Sequence, residues 1–121
     1  MTVAGVGVDA VDVDRFRRVL DRRPAVADRL FTVGERADGR GDAQRLAVRF
    51  AAKEATMKAL GGGIGSFGWQ DVEVVRAGSG APSLRLVAAA ADLARRQGVA
   101  RWHLSLTHTD RVAIAMVVAE G

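Results

Sequence analysis

Cysteine is absent from the 121-residue chain. The protein therefore forms no disulfide and has neither a thiolate metal ligand nor a cysteine nucleophile. Long apolar runs are also missing, since no stretch approaches the roughly 18 apolar residues that a membrane-spanning helix needs. The first residues lack the basic start and apolar run of a secretion signal. We expect a soluble, unprocessed protein without a membrane partner, compatible with the reducing cytoplasm.

Lysine is almost as scarce as cysteine. The chain has eighteen basic residues, and only Lys53 and Lys58 are lysines, both within the short segment 49–65. Arginine therefore supplies nearly all of the positive surface charge. Because an ammonium group is a compact point charge suited to phosphate, this placement beside Glu54 favours a phosphate-handling role for both lysines.

The composition indicates one domain with an anionic partner. An apolar fraction of 49% fits a globular protein, and the length allows a single domain spanning residues 1–121. The net charge of +4 points to nucleic acid, a phosphate metabolite or an acidic protein. Charge alone does not choose among them.

Hydrophobic periodicity predicts an α+β domain with a largely antiparallel sheet packed against helices. Asp9 is expected at the end of the first strand, and a glycine-rich stretch at 34–42 is expected to be a loop. The longest predicted helix places Lys53 within its apolar stripe and Glu54 at the edge of that stripe. The predicted strands are 3–9, 71–76, 83–87, 101–107 and 111–119, with a turn at 77–82, and the predicted helices are 11–23, 25–31, 43–60 and 88–97.

Two carboxylates are candidates for a metal site. Asp9 and Glu54 are hard oxygen ligands of the kind that hold Mg²⁺ together with water and substrate phosphates. In a competing interpretation Asp9 caps the first helix, and Glu54 makes an ordinary intrahelical pair with Lys58. Spacing alone leaves both open.

Other candidate residues are His108, predicted at a turn where it could face a ligand, and an arginine stripe formed by Arg15, Arg18 and Arg22 on the first helix. A turn histidine is also compatible with a structural role, and an arginine stripe with a solvated face. Aromatic residues do not interleave with the arginines, so base stacking with nucleic acid is not indicated.

Three segments together resemble the small bacterial holo-[acyl-carrier-protein] synthases, a group of 4′-phosphopantetheinyl transferases. They read GVGVD at 5–9, FAAKEATMKALG at 50–61 and LSLTH at 104–108. The Lys-Glu-Ala core followed by a lysine is specific, whereas the other two segments are weak by themselves. The resemblance spans nearly the whole chain and implies the 4′-phosphopantetheinyl transferase fold.

The resemblance implies transfer of the phosphopantetheine arm of coenzyme A to a serine of an acyl carrier protein, with release of adenosine 3′,5′-bisphosphate. Asp9 and Glu54 match the Mg²⁺ ligands, and Lys58 matches a lysine on the departing phosphate. Glu54, or a water that it orients, is the candidate proton acceptor. Arg49 and His108 match positions near the nucleotide phosphates, and Gly61 opens a glycine run that brings backbone close to the coenzyme.

The resemblance also implies partners. Acyl carrier proteins are acidic around the modified serine, so Arg15, Arg18 and Arg22 would orient that surface. Members of this size are homotrimers with active sites between subunits. Three positions depart from the family pattern: Thr107 in place of serine, Gly62 in place of threonine, and Ala81 in place of a frequent lysine.

Two other functions compete with transfer. A noncatalytic basic module would use the arginine stripe to bind an acidic protein or nucleic acid, with the lysines and glycines as scaffold. Alternatively, the same metal and lysine chemistry would let water hydrolyse the coenzyme A pyrophosphate.

Overall fold

The computed structural model describes residues 2–63, 65–76, 78 and 80–121. Ile64, in the glycine run, and Ala77 and Ser79, in the predicted turn, lie outside the described residues. The strands are β1 (Val3–Asp12), β2 (Val72–Arg76), β3 (Pro82–Leu86), β4 (Arg101–His108) and β5 (Val112–Glu120). The helices are α1 (Val13–Arg22), α2 (Ala25–Leu30), α3 (Val33–Gly39), α4 (Ala43–Ala59) and α5 (Ala88–Arg96), with a short 3₁₀ turn at Trp69–Asp71.

The strands form two antiparallel sheets, which confirms the predicted fold class. One sheet has the order β1-β5-β4 and the other pairs β2 with β3. In β5 every second residue is buried, so that Ala113, Ala115 and Val117 form the inner face, as the two-residue period of a strand requires. Helix α4 packs across this inner face. No helix in the described ranges is long and apolar enough to cross a membrane.

Helix α4 is the central element, and its predicted range is confirmed within one residue. Small side chains, among them Ala51, Ala52 and Ala55, are fully buried against the sheet. The larger buried side chains Leu46 and Met57 fill the two flanking clusters of the core. Because alanine keeps the helix close to the strands, polar side chains on α4 are brought near those on β1.

The first strand is longer than predicted, and Asp9 does not lie at its end. The strand continues to Asp12, which is the residue that caps α1, since its Oδ1 accepts a hydrogen bond from the Arg15 backbone N at 2.9 Å. The alternating pattern of small and β-branched residues continues through Val11, so the strand runs past Asp9. The interpretation of Asp9 as the cap is therefore wrong.

The predicted loop at 34–42 is also wrong in its first part, which forms α3. Thr32 and Glu35 make a capping box: Thr32 Oγ1 accepts from the Glu35 backbone N at 3.1 Å, and Glu35 Oε1 accepts from the Thr32 backbone N at 3.0 Å. This cap offsets the low helix propensity of the glycines. The helix ends at Arg40, which has a left-handed φ of 52°.

Candidate active site

Two glycines of β1 place Asp9 against α4. Gly5, Gly7 and Asp9 point to the same face of the strand because side chains alternate with a period of two. A Cβ atom on Gly5 would lie 1.9 Å from the Ala59 carbonyl oxygen, and one on Gly7 would lie 1.8 Å from the Ala55 carbonyl oxygen. Only glycine allows this approach, and Asp9 is the first residue on that face that carries a functional group.

Asp9 binds Lys58 directly. The Lys58 Nζ atom lies 2.9 Å from Asp9 Oδ1 and 3.0 Å from the Val8 carbonyl oxygen. The hydrogen bond to Asp9 and the negative charge of that carboxylate raise the pKa of Lys58, so the ammonium stays charged at neutral pH. The ion pair joins strand to helix, and it replaces the Glu54–Lys58 pair of the competing interpretation.

Glu54 completes the group on the same face of α4. Its carboxyl is half-buried and lies close enough to the Asp9 carboxyl for the two groups to influence each other's ionisation. Burial raises the pKa of Glu54 to about 7, with further contributions from the charge and hydrogen bond of Asp9, while Lys58 opposes the shift. Two carboxyls this close repel each other when both are ionised, unless a proton or a cation lies between them.

The carboxyl pair suits a hard divalent cation that keeps other ligands. Within the described part of the chain, no group of three or more histidine, cysteine, aspartate or glutamate side chains could hold a metal ion. Mg²⁺ commonly binds through one or two carboxylates and takes its other ligands from water and phosphate. The donor set of Asp9 and Glu54 fits that pattern, so a phosphate-bearing substrate would complete the coordination.

A strongly cationic cavity of about 710 Å³ lies elsewhere on the chain. Arg40, Arg45, Arg49, Arg76 and His108 line it, together with Asp38. Burial lowers the pKa of Arg49, and the charge of Arg76 lowers it further. Its guanidinium donates to the Arg45 carbonyl oxygen at 2.9 Å, but its Nε is buried without a partner. Crowded guanidiniums with unused donors provide a site for an anion.

An apolar cavity of about 640 Å³ adjoins Glu54. The rings of Phe16, Phe50 and Trp69 form its wall, and Arg15 lies at the same cavity. Arg18 and Arg22 are exposed on the same helix. This cavity can therefore receive an apolar group from a partner whose surrounding surface is acidic.

The structure brings together some of the predicted site residues and separates others. Asp9, Glu54 and Lys58 form one group. Arg49 and His108 line the cationic cavity, which shares no lining residue with the cavity at Glu54. Gly61 follows α4 with a φ of 73° and is exposed.

Lys53 is not available to phosphate, which corrects the prediction made for both lysines. Its side chain is fully buried and forms an ion pair of 2.7 Å with Glu35. Arg40, Arg45 and Arg76 were missed as candidate anion ligands because each is one arginine among many. Arg40, at the end of α3, and Arg76, at the end of β2, are far from Arg49 in sequence, and only folding brings them to the same cavity.

Comparison with known proteins identifies the family. The sequence pattern of the 4′-phosphopantetheinyl transferase superfamily matches residues 5–117. A holo-[acyl-carrier-protein] synthase of Frankia alni is 58% identical over 121 residues, which cover 100% of both chains.

Solved structures agree with the sequence comparison. The crystal structure of the holo-[acyl-carrier-protein] synthase of Neisseria meningitidis matches with a TM-score of 0.90 and 31% identity, covering 99% of this chain and 100% of that one. The Helicobacter pylori enzyme in complex with coenzyme A matches with a TM-score of 0.87 and 26% identity, covering 95% and 99%. With its length, fold and central Lys-Glu-Ala motif all in agreement, the chain belongs to the holo-[acyl-carrier-protein] synthases of the 4′-phosphopantetheinyl transferase superfamily.

Proposed function

We propose that this protein uses Mg²⁺ to transfer the 4′-phosphopantetheine group of coenzyme A to a serine of an apo acyl carrier protein, releasing adenosine 3′,5′-bisphosphate. The observation that supports this most directly is the ion pair of Asp9 with Lys58 within one copy of the chain, beside a Glu54 carboxyl whose pKa the Asp9 charge helps to raise. Two acids and one cation at a single point are what a diphosphate and its metal require.

The reaction exchanges one phosphorus–oxygen bond for another. The serine oxygen attacks the phosphorus that carries the pantetheine arm. The bond from that phosphorus to the bridging oxygen breaks, and its electron pair leaves with adenosine 3′,5′-bisphosphate. Bound Mg²⁺ would neutralise charge on the diphosphate.

Lys58 is suited to the leaving group. Its ammonium is half-exposed and held at β1 by Asp9, with its charge maintained by the raised pKa. It can therefore hold the departing phosphate or donate a proton to it. The serine proton goes to Glu54 or to a water that Glu54 orients.

Coenzyme A binding is assigned to the cationic cavity. Arg49 and His108 would hold the nucleotide phosphates there, with Arg40, Arg45 and Arg76 adding positive charge. Since the cavity shares no lining residue with the one at Glu54, we propose that one active site draws on both cavities from neighbouring subunits.

An exposed apolar face of the first sheet supports assembly into the homotrimer implied by the family. Val6 and Val8 on β1 are 53% and 56% exposed, and Met116 on β5 is 47% exposed. All three point away from α4, on the opposite face of the sheet. Copies of the chain packed through this face would remove it from water. Each subunit, residues 1–121, is proposed to be one transferase domain acting in the cytoplasm.

Mass spectrometry tests the function. An apo acyl carrier protein incubated with coenzyme A, Mg²⁺ and the enzyme should gain one phosphopantetheine, and chelation of the metal should stop the reaction. Free phosphopantetheine without a labelled acceptor would support pyrophosphate hydrolysis instead. Binding of the carrier that ignores coenzyme A and Mg²⁺ would support the noncatalytic basic module.

Charge reversal on α1 should weaken acceptor binding selectively. Arg18→Glu places a repelling charge on the arginine stripe and is expected to raise KM for the carrier protein about tenfold, with KM for coenzyme A unchanged. Steady-state kinetics at low and high salt provide the measurement, since added salt should shrink the difference. Arg96→Glu, on the exposed side of α5, is the matched control, and an equal effect from both variants would contradict a specific acceptor surface.

A further inference from the structure

Lys53 lies one residue before Glu54 and is enclosed by the protein. Neither Lys53 nor Glu35 exposes any side-chain surface. The ammonium contacts Glu35 Oε1 at 2.7 Å, donates to the Trp69 carbonyl oxygen at 2.9 Å, and also donates to the Val72 carbonyl oxygen. It lies 5.7 Å from the centre of the Phe31 ring. All of its donors are used within the fold, so it has none left for a substrate.

Glu35 holds the other side of this ion pair. Besides capping α3, its Oε2 accepts a hydrogen bond from the Val74 backbone N at 2.9 Å. The pair therefore ties α3, α4, the 3₁₀ turn and β2 together at one point. Stability of the core alone does not require this ion pair, because apolar side chains of similar volume usually stabilise a core as well as a buried ion pair does.

The connection to Trp69 links the ion pair to the active site. The Trp69 ring lies 5.2 Å from the Phe50 ring, and Phe50 stacks on Phe16 at 5.3 Å. These three rings are the wall of the apolar cavity at Glu54. Lys53, on the same turn of α4 as Glu54, therefore fixes the backbone of Trp69, whose ring is part of the wall.

We propose that the Glu35–Lys53 ion pair is a positioning element for the acceptor side of the active site, holding the Phe16–Phe50–Trp69 wall in register with Glu54 so that the carrier protein and its serine are seated correctly. This assignment builds on the proposed transfer reaction. It gives the pair no contact with coenzyme A, whose proposed cavity shares none of these residues.

Because the chain has no cysteine, Lys53→Cys introduces a unique thiol that can be modified chemically. The unfolded variant is alkylated with 2-bromoethylamine, which restores an ammonium on a side chain of lysine length, or with 1-bromopropane, which replaces that ammonium by a methyl group. Both forms are refolded, and wild type is carried through the same steps. The two side chains differ only in the group that donates hydrogen bonds.

The expected result is a split between the two substrates. The aminoethyl form should regain kinetic constants close to those of wild type. The propyl form should show KM for the carrier protein raised about tenfold and a lowered kcat, with KM for coenzyme A within about twofold of wild type. A loss of folded fraction alone would lower the apparent kcat and leave both KM values unchanged. Equal kinetics for the aminoethyl and propyl forms would overturn the proposal.

A second variant and a spectroscopic readout cover the case in which the propyl form does not fold. Glu35→Gln combined with Lys53→Met removes both charges together and avoids an unpaired buried ion. In a Trp102→Phe background the fluorescence of Trp69 reports the wall without any substrate, and we expect a shifted emission maximum and easier quenching by acrylamide. Unchanged Trp69 fluorescence, or failure of both the propyl form and the double variant to fold, would assign the pair to folding and end the proposal.

These readouts separate the proposal from the proposed function. If wild type does not label a carrier protein, the function fails, yet the Trp69 signal still tests whether the ion pair fixes the wall. If wild type labels the carrier protein, and the propyl form and the double variant show the same kinetics as wild type, only the positioning role fails.

Discussion

Glu54→Gln is expected to reduce phosphopantetheine transfer about a thousandfold or more while the protein remains folded. The substitution keeps the size of the side chain but removes the negative charge that would bind Mg²⁺ and the basic oxygen that would take the serine proton. Losing a general base alone costs on the order of 10²- to 10⁴-fold, and weakened metal binding adds to this. The measurement is the rate of carrier labelling at saturating coenzyme A, and Asp92→Asn, at an exposed position of α5, is the matched control.

The thermal stability of the same variant provides the folding control. The direction in which stability changes with pH follows from the pKa of Glu54. That pKa is raised from 4.5 to about 7, so the folded protein binds this proton more tightly than the unfolded chain does. Stability is therefore lost as pH rises from about 4.5 through 7. Glutamine cannot ionise, so Glu54→Gln should unfold at the same temperature as metal-free wild type or higher at pH 8. A folded variant with full transfer activity would contradict the assigned role of Glu54.

Gly7→Ala is expected to destabilise the protein by about 3 kcal/mol, at the upper end of the usual range for overpacking, because the new methyl group meets backbone rather than a movable side chain. Its Cβ would lie 1.8 Å from the Ala55 carbonyl oxygen. Strand and helix would have to separate, which would open the core and withdraw Asp9 from Glu54 and Lys58. The measurement is urea unfolding followed by circular dichroism.

Gly68→Ala is the matched control for this substitution. A Cβ atom there would come no closer than 3.5 Å to another residue, an ordinary contact with the Asp71 carboxylate, and the backbone φ of −73° suits alanine. It should change stability by less than about 1 kcal/mol. If Gly7→Ala proved as stable as this control, close contact between β1 and α4 would not be what places Asp9.

The periodic parts of the sequence predicted the local structure well. The apolar stripe of α4 predicted the helix and a Lys53 that lies within that stripe, because an α-helix presents one face to the core at every turn. The hairpin strands and the final strand pair were predicted within one or two residues for the same reason, applied to the period of a strand. The predicted end of β1 and the predicted loop at 34–42 are wrong, because a carboxylate does not end a strand and a capped helix tolerates glycine.

The partners of the charged residues could not be read from spacing. Lys53 was expected to serve phosphate, but it pairs with Glu35, a residue of a different helix. Lys58 was one turn from Glu54, yet its ammonium bonds to Asp9 on a strand far away in sequence. A long flexible side chain pairs with any opposite charge that lies within its reach in the folded protein, and the spacing of residues in the sequence does not give those distances.

By itself, the sequence determined the class of fold, the family through three short motifs, and the identities of the two acids and the lysine proposed to act on the diphosphate. Tertiary structure alone decided which charges meet. It placed Asp9 on Lys58 and Glu54, enclosed Lys53 with Glu35, and separated Arg49 and His108 from the carboxyl pair. The physical reason is that periodicity records which face of an element is buried, whereas contacts between elements depend on how closely backbones can approach, and here two glycines on β1 set that distance.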